Sequence, residues 1–425
     1  MAKYRKRIAD ELLALKLSAM GAVLVEGAKW CGKTTTCEQQ AKSILYMADP
    51  VKRKQNLRLA EMDVASLLKG ARPRLIDEWQ DAPQLWDAIR FTVDHEGGIG
   101  QFILTGSAVP PKAESISHTG TGRFARVKMR PMSLWESGES TGGLSLRSLF
   151  SGEAPSAAVP AEGLSLEEMA FVICRGGWPQ AVGRRGESAL VIAKEYFEGV
   201  AESDITRADG IPRDPERVRR LMRSCARLQG TQANLAAIRK DMIANDMRGL
   251  DEDTIYSYVS ALKKIFVIED LPAWCPNLRA KGAIRETDTR YFVDPSIAAA
   301  AMGVGPGELM NDLPTFGFFF EALAVRDLRV YMDALGGHVE KYHDKTGLEC
   351  DAVLHLQNGR YGLVEIKLGG ETLIEEGLNA LKRFSELIAG KKMPAPAFRM
   401  VLTATGDFAY SEDGILVCPL SALRP

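Results

Sequence analysis

The feature that most constrains this chain is the octapeptide GAKWCGKT, which spans residues 27–34 and fits the pattern GxxxxGK[ST]. It follows an apolar segment, AVLVE, that is typical of a buried strand, and it precedes a stretch with helical periodicity. A glycine-rich loop in this context can wrap around phosphate groups, because backbone N–H groups and the helix N-terminus both point at the negative charge. We therefore expect a sheet that carries this loop at the carboxyl end of a strand.

The chemistry of such a loop assigns roles to individual residues. Lys33 is expected to reach the β and γ phosphates of ATP, and Thr34 to ligate Mg²⁺. ATP and Mg²⁺ are therefore the predicted cofactors. The predicted nucleotide-binding residues are Gly27, Ala28, Lys29, Trp30, Cys31, Gly32, Lys33, Thr34 and Thr35.

A second site element is the segment RLIDEWQ at residues 74–80, where an acidic pair follows a short apolar run. At a strand end, Asp77 is expected to hold Mg²⁺ through water, and Glu78 to polarise the attacking water. Only Leu75 and Ile76 precede the pair as apolar residues, and by itself such a pair is more often a loop cap. Its position after the glycine-rich loop favours the catalytic interpretation.

The next predicted strand, FILTGS, ends in two hydroxyl side chains, Thr105 and Ser107, that are suited to sensing the γ-phosphate. Arg123 and Arg126 follow, and we expect a cation here to neutralise charge in the transition state. The sequence does not distinguish an arginine that faces a neighbouring subunit from one on the free surface.

Strand and helix patterns alternate in the first third of the chain, which predicts an α/β fold with a parallel sheet covered by helices. A segment rich in Ser, Gly, Ala and Pro follows and is typical of a linker. We expect a P-loop ATPase core at 1–135, a linker or surface loop at 136–165, a helical region at 166–310 and a third, separate α/β unit at 311–425.

The helical region contains two amphipathic stretches, the first with apolar residues at Leu235, Ile238 and Met242 and the second around Ile255 to Phe266. Asp251 is placed to cap the second helix. The extended segments FVIEDLPAW and TRYFVDP come next, and this order predicts a winged helix-turn-helix.

Binding to DNA is a prediction from local charge, because the formal net charge of the chain is only −1. Basic residues concentrate at 52–58 and 212–227, and again at 279–290 next to the second helix of the winged helix-turn-helix. A solvated helix face is the alternative explanation for each stretch.

No apolar run approaches the length needed to span a membrane, and the first residues show no cleavable signal pattern. The seven cysteines are scattered without a CxxC pair, which indicates neither a zinc site nor a disulfide framework. We therefore expect a cytoplasmic protein without a membrane partner.

Taken in order, several segments resemble the AAA-type ATPases of bacteria and archaea that carry a C-terminal domain of unknown function with a PD-(D/E)xK nuclease-like fold. These segments are the P-loop, RLIDEWQ, QFILTGSA, GRFARVKMRPMSLWESG, GGWPQ at 176–180 and the C-terminal DAV…VEIK pattern. The resemblance implies a helical lid with a winged helix in the middle region and a restriction-endonuclease-like fold at the C-terminus.

The C-terminal α/β unit contains a candidate metal site. Glu365 and Lys367 share one face of a predicted strand, and a neighbouring strand is able to bring Asp351 beside them. Carboxylates at Asp351 and Glu365 would hold Mg²⁺ for phosphodiester hydrolysis, with Lys367 positioning the water. The resemblance adds Glu321 to this possible nuclease set, whereas Cys350 stands where the motif has proline. A salt-bridged strand pair, or a binding module without catalysis, is the alternative.

These observations lead to two functional hypotheses. The first is an ATPase that couples ATP hydrolysis to DNA binding, with metal-dependent DNA cleavage as a further step. The second is an ATP-gated regulatory or interaction protein whose nuclease-like fold is inactive. ATP and DNA are the expected partners, and homo-oligomerisation is an expectation whose subunit number the sequence does not give.

Overall fold

The computed structural model describes residues 4–107, 120–153, 163–232, 234–244, 251–275, 288–344, 346–391, 393–410 and 413–425. The chain divides into two compact units, and neither is continuous in sequence. The first unit holds residues 1–131, 199–215 and 257–267, and the second holds residues 132–198, 216–256 and 268–425. The boundary that we predict at 310/311 therefore does not separate two compact units.

Strands and helices alternate in the first part of the chain. In chain order the elements are α1 (Ile8–Leu17), β1 (Ala22–Glu26), α2 (Lys33–Glu38), β2 (Ser43–Tyr46), α3 (Arg53–Met62), α4 (Val64–Leu67), β3 (Arg74–Asp77), a 3-10 helix (Trp79–Asp81), α5 (Gln84–Glu96), β4 (Phe102–Gly106) and β5 (Phe124–Lys128). The five strands form one sheet in the order β2, β3, β4, β1, β5, and every neighbouring pair is parallel. The prediction of a P-loop fold with a parallel sheet is confirmed.

Both faces of this sheet are covered, as expected for a parallel sheet whose strands are continuous apolar runs. Successive residues of a strand point to opposite faces. Accordingly Leu24 of β1 belongs to one hydrophobic cluster, with Trp86 of α5. Val23 and Val25 belong to a second cluster, with Leu13 of α1. Burial of apolar side chains on both faces holds the ends of β1, β3 and β4 in place.

Helices dominate the next part of the chain. The elements are α6 (Leu134–Ser137), β6 (Leu144–Ser145), α7 (Leu146–Ser151), α8 (Leu166–Arg175), α9 (Glu187–Gly199), a π-helix (Val200–Asp204), α10 (Ile205–Arg207), α11 (Pro215–Arg227), α12 (Leu235–Ala244), α13 (Glu252–Lys264), β7 (Ile268–Leu271), β8 (Thr289–Phe292), α14 (Pro295–Met302) and α15 (Pro306–Asn311). The two predicted helices correspond to α12 and α13, and β7 and β8 form an antiparallel pair. Asp251 accepts a hydrogen bond from the backbone N–H of Thr254 at 2.7 Å, which is the predicted cap.

The C-terminal part follows the predicted order of a helix, three strands, a helix and further strands. The elements are α16 (Leu313–Ala334), β9 (Gly337–His343), β10 (Glu349–Leu356), β11 (Tyr361–Lys367), α17 (Glu371–Gly390), β12 (Phe398–Thr403), β13 (Ala409–Tyr410), β14 (Leu416–Pro419), a 3-10 helix (Leu420–Ala422) and β15 (Leu423–Arg424). A six-stranded sheet has the order β13, β14, β12, β11, β10, β9. Strands β9, β10 and β11 are antiparallel neighbours, whereas β11 and β12 are parallel.

Residues 136–153, which the composition predicts as part of a linker, instead belong to the folded structure. Strand β6 pairs in parallel with β15, and Leu146 and Phe150 of α7 are buried. The hydroxyl of Ser145 accepts a hydrogen bond from the N–H of Ser148 at the start of α7. Serine in this segment therefore caps a helix, which composition alone does not reveal. Residues 154–162 lie outside the described residues.

A buried charge network in the second unit explains the two motifs to which the sequence assigned no chemistry. Arg326 of α16 lies 2.7 Å from Asp294 and 2.7 Å from Asp327. Asp327 accepts a hydrogen bond from the N–H of Leu134, within RPMSLWESG, at 2.9 Å. Asp294 accepts one from the N–H of Gly177, within GGWPQ, at 3.0 Å. These charges connect the helical and α/β parts within the second unit.

Among the helices in the described part of the chain, none is both long and apolar enough to cross a membrane.

Candidate functional site

The P-loop of residues 27–34 runs from the end of β1 into α2. Gly27 and Gly32 both have positive φ, at 153° and 100°, a conformation that L side chains rarely adopt. A Cβ atom on Gly27 would lie 2.0 Å from the backbone oxygen of Met129, so no larger residue fits there. Cys31 is buried and its thiol contacts the same oxygen at 3.6 Å. The two glycines therefore permit the tight path of the loop.

The ammonium group of Lys33 lies over the P-loop. Its side chain is buried, and Nζ donates hydrogen bonds to the carbonyl oxygens of Gly27 at 2.9 Å and Ala28 at 2.8 Å. Trp30 also has positive φ, at 62°, and its side chain is exposed. The lysine thus places a positive charge on the concave side of the loop, where a phosphate chain would lie.

Hydroxyl groups from two elements converge on Asp77 at the end of β3. Thr34 Oγ1 donates to Asp77 Oδ1 at 2.7 Å, and Thr105 Oγ1 donates to the same oxygen at 2.6 Å. The register explains this meeting, because Asp77 is paired with Thr105 in neighbouring parallel strands. A hydroxyl and a carboxylate are hard oxygen ligands of the kind that Mg²⁺ prefers. Thr34 and Asp77 are therefore suitable ligands for the predicted magnesium ion.

The next residue, Glu78, turns away from the strand with φ at 55°. Ser107 Oγ donates to Glu78 Oε2 at 3.1 Å, and Gln80 Nε2 donates to the same oxygen. Parallel strands β1, β3 and β4 all end at this edge of the sheet. The structure therefore brings the P-loop, Asp77, Glu78, Thr105 and Ser107 together, while Gln80 was not singled out from the sequence.

Of the two predicted arginines, Arg123 does not join this site within the chain. Arg123 precedes β5, whose first residue pairs with Ala22 at the start of β1, so it lies at the opposite edge of the sheet. The length of β1 separates the two edges by roughly 16 Å. Arg123 Nε donates to Asp94 at 2.5 Å, and Arg126 lies 3.0 Å from Glu26. The direction of β5, parallel to β1, therefore keeps Arg123 away from the P-loop of its own chain.

Sequence reasoning also missed a partner of the P-loop. Lys29 Nζ lies 2.5 Å from Asp204 Oδ1, at the end of the π-helix, and both residues belong to the first unit. The Asp204 side chain is 14% exposed, so the pair is partly shielded from water. No local pattern marks Asp204, because it lies 175 residues beyond Lys29.

In the C-terminal sheet, the structure brings the predicted carboxylates and lysine together. Asp351 on β10 accepts a hydrogen bond from the N–H of Ile366 on β11 at 2.8 Å. Lys367 Nζ lies 3.3 Å from Glu365 Oε2 on the same face of β11. Burial and the neighbouring charge of Asp351 raise the pKa of Glu365 well above its ordinary value.

A second lysine, which was not singled out from the sequence, lies among these side chains. Lys341 on β9 is buried, and its Nζ lies 2.8 Å from Glu321 Oε1 and 3.6 Å from Asp351 Oδ1. It also donates to the carbonyl oxygen of Gly230 at 3.2 Å. Burial alone would lower the pKa of Lys341, but the charge of Glu321 raises it well above its ordinary value. Tyr291 donates a further hydrogen bond to Glu321 at 2.5 Å.

The carboxylates of Asp351 and Glu365, which the sequence predicts as metal ligands, thus have two lysines as neighbours, Lys341 and Lys367. Across the described ranges, no three His, Cys, Asp or Glu side chains group as ligands for a metal ion. The ammonium of Lys341 contacts the carboxylates of both Glu321 and Asp351. These groups line a cavity of about 1090 Å³ in the second unit.

Several arginines of the basic stretch 212–227 are engaged in ion pairs, and the stretch 52–58 contributes Arg53 to one. In 52–58 and 212–227 the pairs are Arg53 with Asp81, Arg213 with Asp209, Arg219 with Glu198, Arg220 with Glu216 and Arg227 with Asp241. Lys263 and Lys264 end α13, and Lys264 lies 4.0 Å from Asp209. Residues 276–287, which include most of the stretch predicted at 279–290, lie outside the described residues.

Family models match three parts of the chain. A model described as an AAA domain matches residues 20–137, which contain the P-loop and the hydroxyl-carboxylate cluster at Asp77. Residues 20–137 are thus similar to an AAA-type ATPase domain. The protein is thus an ATPase, and two domains of unknown function, DUF8612 and DUF4143, match residues 166–308 and 316–423. No curated protein matches the chain.

Solved structures similar to this AAA-type protein include the Walker-type ATPase of Pyrococcus abyssi, with 15% identity, a TM-score of 0.42 and coverage of 71% of this chain and 99% of that chain. The Aeropyrum pernix ORC1 protein in complex with DNA has 13% identity and a TM-score of 0.25, with coverage of 71% and 94%. A signal transduction ATPase with numerous domains from Pyrococcus horikoshii has 14% identity and a TM-score of 0.26, with coverage of 79% and 48%. The assignment of the ATPase domain relies on the AAA model and on the P-loop geometry.

Proposed function

We propose that this ATPase hydrolyses MgATP at the P-loop and uses its nucleotide state to control the binding of DNA. The observation that carries the catalytic part is the convergence of the Thr34 and Thr105 hydroxyls on Asp77, beside a glutamate held by Ser107. This arrangement supplies a cation for the phosphates, oxygen ligands for a metal ion and a base for water at one edge of one sheet.

Each side chain has a distinct task. Lys33 exchanges its hydrogen bonds to the carbonyl oxygens of the loop for bonds to the β and γ phosphates. Thr34 and Asp77 would hold Mg²⁺, and its charge would neutralise negative charge that develops on the phosphates. Glu78 accepts the proton of the attacking water, and Ser107 orients its carboxylate. Thr105 fixes Asp77 and lies where the γ-phosphate is sensed.

The DNA part of the proposal is supported by the order of α12, α13, β7 and β8. Two helices followed by an antiparallel strand pair are the elements of a winged helix-turn-helix. Lys263 and Lys264 at the end of α13 supply positive charge, and the sequence continues with further basic residues at 279–290. Contacts of these residues with phosphates would make binding fall steeply with salt.

A second candidate function is an ATP-gated interaction protein in which the nuclease-like C-terminal part does not cleave. The position of Lys341 between Glu321 and Asp351 favours this candidate over a metal-dependent nuclease. Both candidates share the ATPase step, and they differ in what the second unit binds.

The test is the steady-state ATPase rate of the full chain with and without single-stranded and double-stranded DNA. Stimulation by either DNA is the expected result, and Lys33→Ala serves as the inactive control. In parallel, Lys263, Lys264 and Arg279 are replaced by glutamate, which should weaken duplex binding and reduce its salt dependence. The DNA part of the proposal is contradicted if DNA does not change the ATPase rate and the glutamate substitutions do not change the affinity for duplex DNA. The whole proposal is contradicted if the chain hydrolyses no ATP under any condition.

A further inference from the structure

The C-terminal cluster contains three carboxyl groups, Glu321, Asp351 and Glu365, that approach one another in a buried place. Side chains of this kind repel each other unless cations lie between them. In a metal-dependent hydrolase the compensating cation is a divalent ion bound directly by carboxylate oxygens. What fills that role in this chain therefore decides whether the cluster is able to bind a metal ion.

The hydrogen bonds of Lys341 answer this question. Its Nζ reaches Glu321 Oε1 at 2.8 Å and the carbonyl oxygen of Gly230 at 3.2 Å, and it lies 3.6 Å from Asp351 Oδ1. Two of the three N–H donors of the ammonium group thus have hydrogen-bond partners, and Asp351 is a partner through charge. The Lys341 side chain is 6% exposed. Its position within strand β9 fixes the direction in which it leaves the sheet.

Further hydrogen bonds engage some carboxylate oxygens of the cluster, whereas Glu365 Oε1 is buried without a hydrogen-bond partner. Asp351 Oδ2 accepts from the N–H of Ile366, and Glu321 Oε1 accepts a second bond from Tyr291. A divalent ion at this place would have to displace a buried ammonium and would face its positive charge at contact distance. Coulomb repulsion between two such cations is strong where water is scarce.

We propose that Lys341 is a resident cation that takes the place of a divalent metal in the C-terminal cluster, so that this cluster binds no Mg²⁺ or Mn²⁺. The fold then supplies a polar cavity without metal-dependent hydrolysis. Lys367, whose Nζ lies 3.3 Å from Glu365 Oε2, does not carry this role because it is 25% exposed and water screens its charge, whereas Lys341 is 6% exposed. The inference does not depend on ATP hydrolysis, because its test contains no nucleotide.

The experiment counts Mn²⁺ ions bound to the full chain without nucleotide, by the loss of the electron paramagnetic resonance signal of free Mn²⁺. The variants are the wild type, Asp351→Asn, Lys341→Met and the double variant that combines the last two. Lys367→Met is the matched control, because it removes the same charge from the same cavity. Circular dichroism establishes that each variant is folded.

The wild type and Asp351→Asn should bind Mn²⁺ equally, since the cluster holds no metal in either. Lys341→Met should bind one additional Mn²⁺ ion per chain. The double variant with Asp351→Asn should lose this ion, and Lys367→Met should bind no additional ion. If Lys341→Met does not fold, the comparison of wild type with Asp351→Asn still decides. A wild-type Mn²⁺ site that Asp351→Asn abolishes overturns the proposal, as does a folded Lys341→Met that gains no site.

Discussion

The P-loop site and the C-terminal cluster both gather acidic side chains at the ends or faces of a sheet, but their neighbours differ. Asp77 accepts hydrogen bonds from two neutral hydroxyls, those of Thr34 and Thr105. The carboxylates of Glu321 and Asp351 instead flank the ammonium of Lys341. A hydroxyl can turn its lone pairs to a metal ion, whereas an ammonium has none to offer. The chemistry of the neighbour therefore separates a metal-binding carboxylate from a structural one.

The largest expected effect concerns the cation of the P-loop. Lys33→Ala removes the ammonium that is aimed at the phosphates, and two charged hydrogen bonds of about 1.5–3 kcal/mol each correspond to an affinity loss of at least about 100-fold. Calorimetric titration with ATP measures this loss. Lys42→Ala, at an exposed lysine after α2, should bind ATP as the wild type does. Equal affinity of wild type and Lys33→Ala would remove the P-loop from the account.

The second prediction separates binding from chemistry at the same site. Glu78→Gln keeps the shape of the side chain but cannot accept the proton of water, so turnover should fall by about 100-fold or more. ATP should still bind and persist. Single-turnover hydrolysis and ATP affinity are measured together, with Glu61→Gln on the exposed surface of α3 as the control. If Glu78→Gln hydrolyses ATP as fast as the wild type, a residue other than Glu78 is the base.

The third prediction tests the C-terminal side of the comparison through stability. Asp351→Asn leaves Lys341 partly uncompensated in a buried place, which should destabilise the second unit by up to about 3–5 kcal/mol. Denaturant unfolding without ATP, with and without Mn²⁺, measures the change. Wild-type stability should not depend on Mn²⁺. The opposite pair of results, an unchanged or higher stability of Asp351→Asn and a Mn²⁺-dependent shift in the wild type, would favour a metal site.

The smallest effect is expected for the ion pair between Lys29 and Asp204. Because Lys29 is 37% exposed, the pair should contribute only about 1 kcal/mol, or about 5-fold in ATP affinity. Asp204→Ala should raise the KM for ATP without changing kcat, since it loosens the loop and leaves Glu78 in place. Exchanging the charges, with Lys29→Asp and Asp204→Lys together, should restore most of the affinity. A loss that the exchange does not restore would assign Asp204 a role other than this pair.

The sequence predicts the P-loop site well because its determinants are contiguous. The octapeptide sets the loop, and the strand ends at Asp77 and Thr105 meet because neighbouring parallel strands end at one edge. What the sequence could not supply are pairings across long distances. Lys341 and Asp204 find their partners only in the folded chain, and neither lies in a motif.

Two differences between expectation and structure have equally physical causes. The direction of β5 places Arg123 away from the P-loop, and the position of a residue along the chain does not reveal strand direction. The segment at 136–153 has the composition of a linker, yet its Ser145 caps a helix and its few leucines are buried. Composition averages over positions and so misses the one or two contacts that hold a short segment in place.

The most direct test of the difference between the two carboxylate sites is the number of Mn²⁺ ions bound tightly by Glu78→Gln, with and without ATP. This variant is chosen because ATP should persist in it. The account predicts one nucleotide-dependent ion per chain, held by Thr34 and Asp77, and none without nucleotide. A tightly bound ion that is present without ATP and is lost on replacing Asp351, or no ion even with ATP, would contradict it.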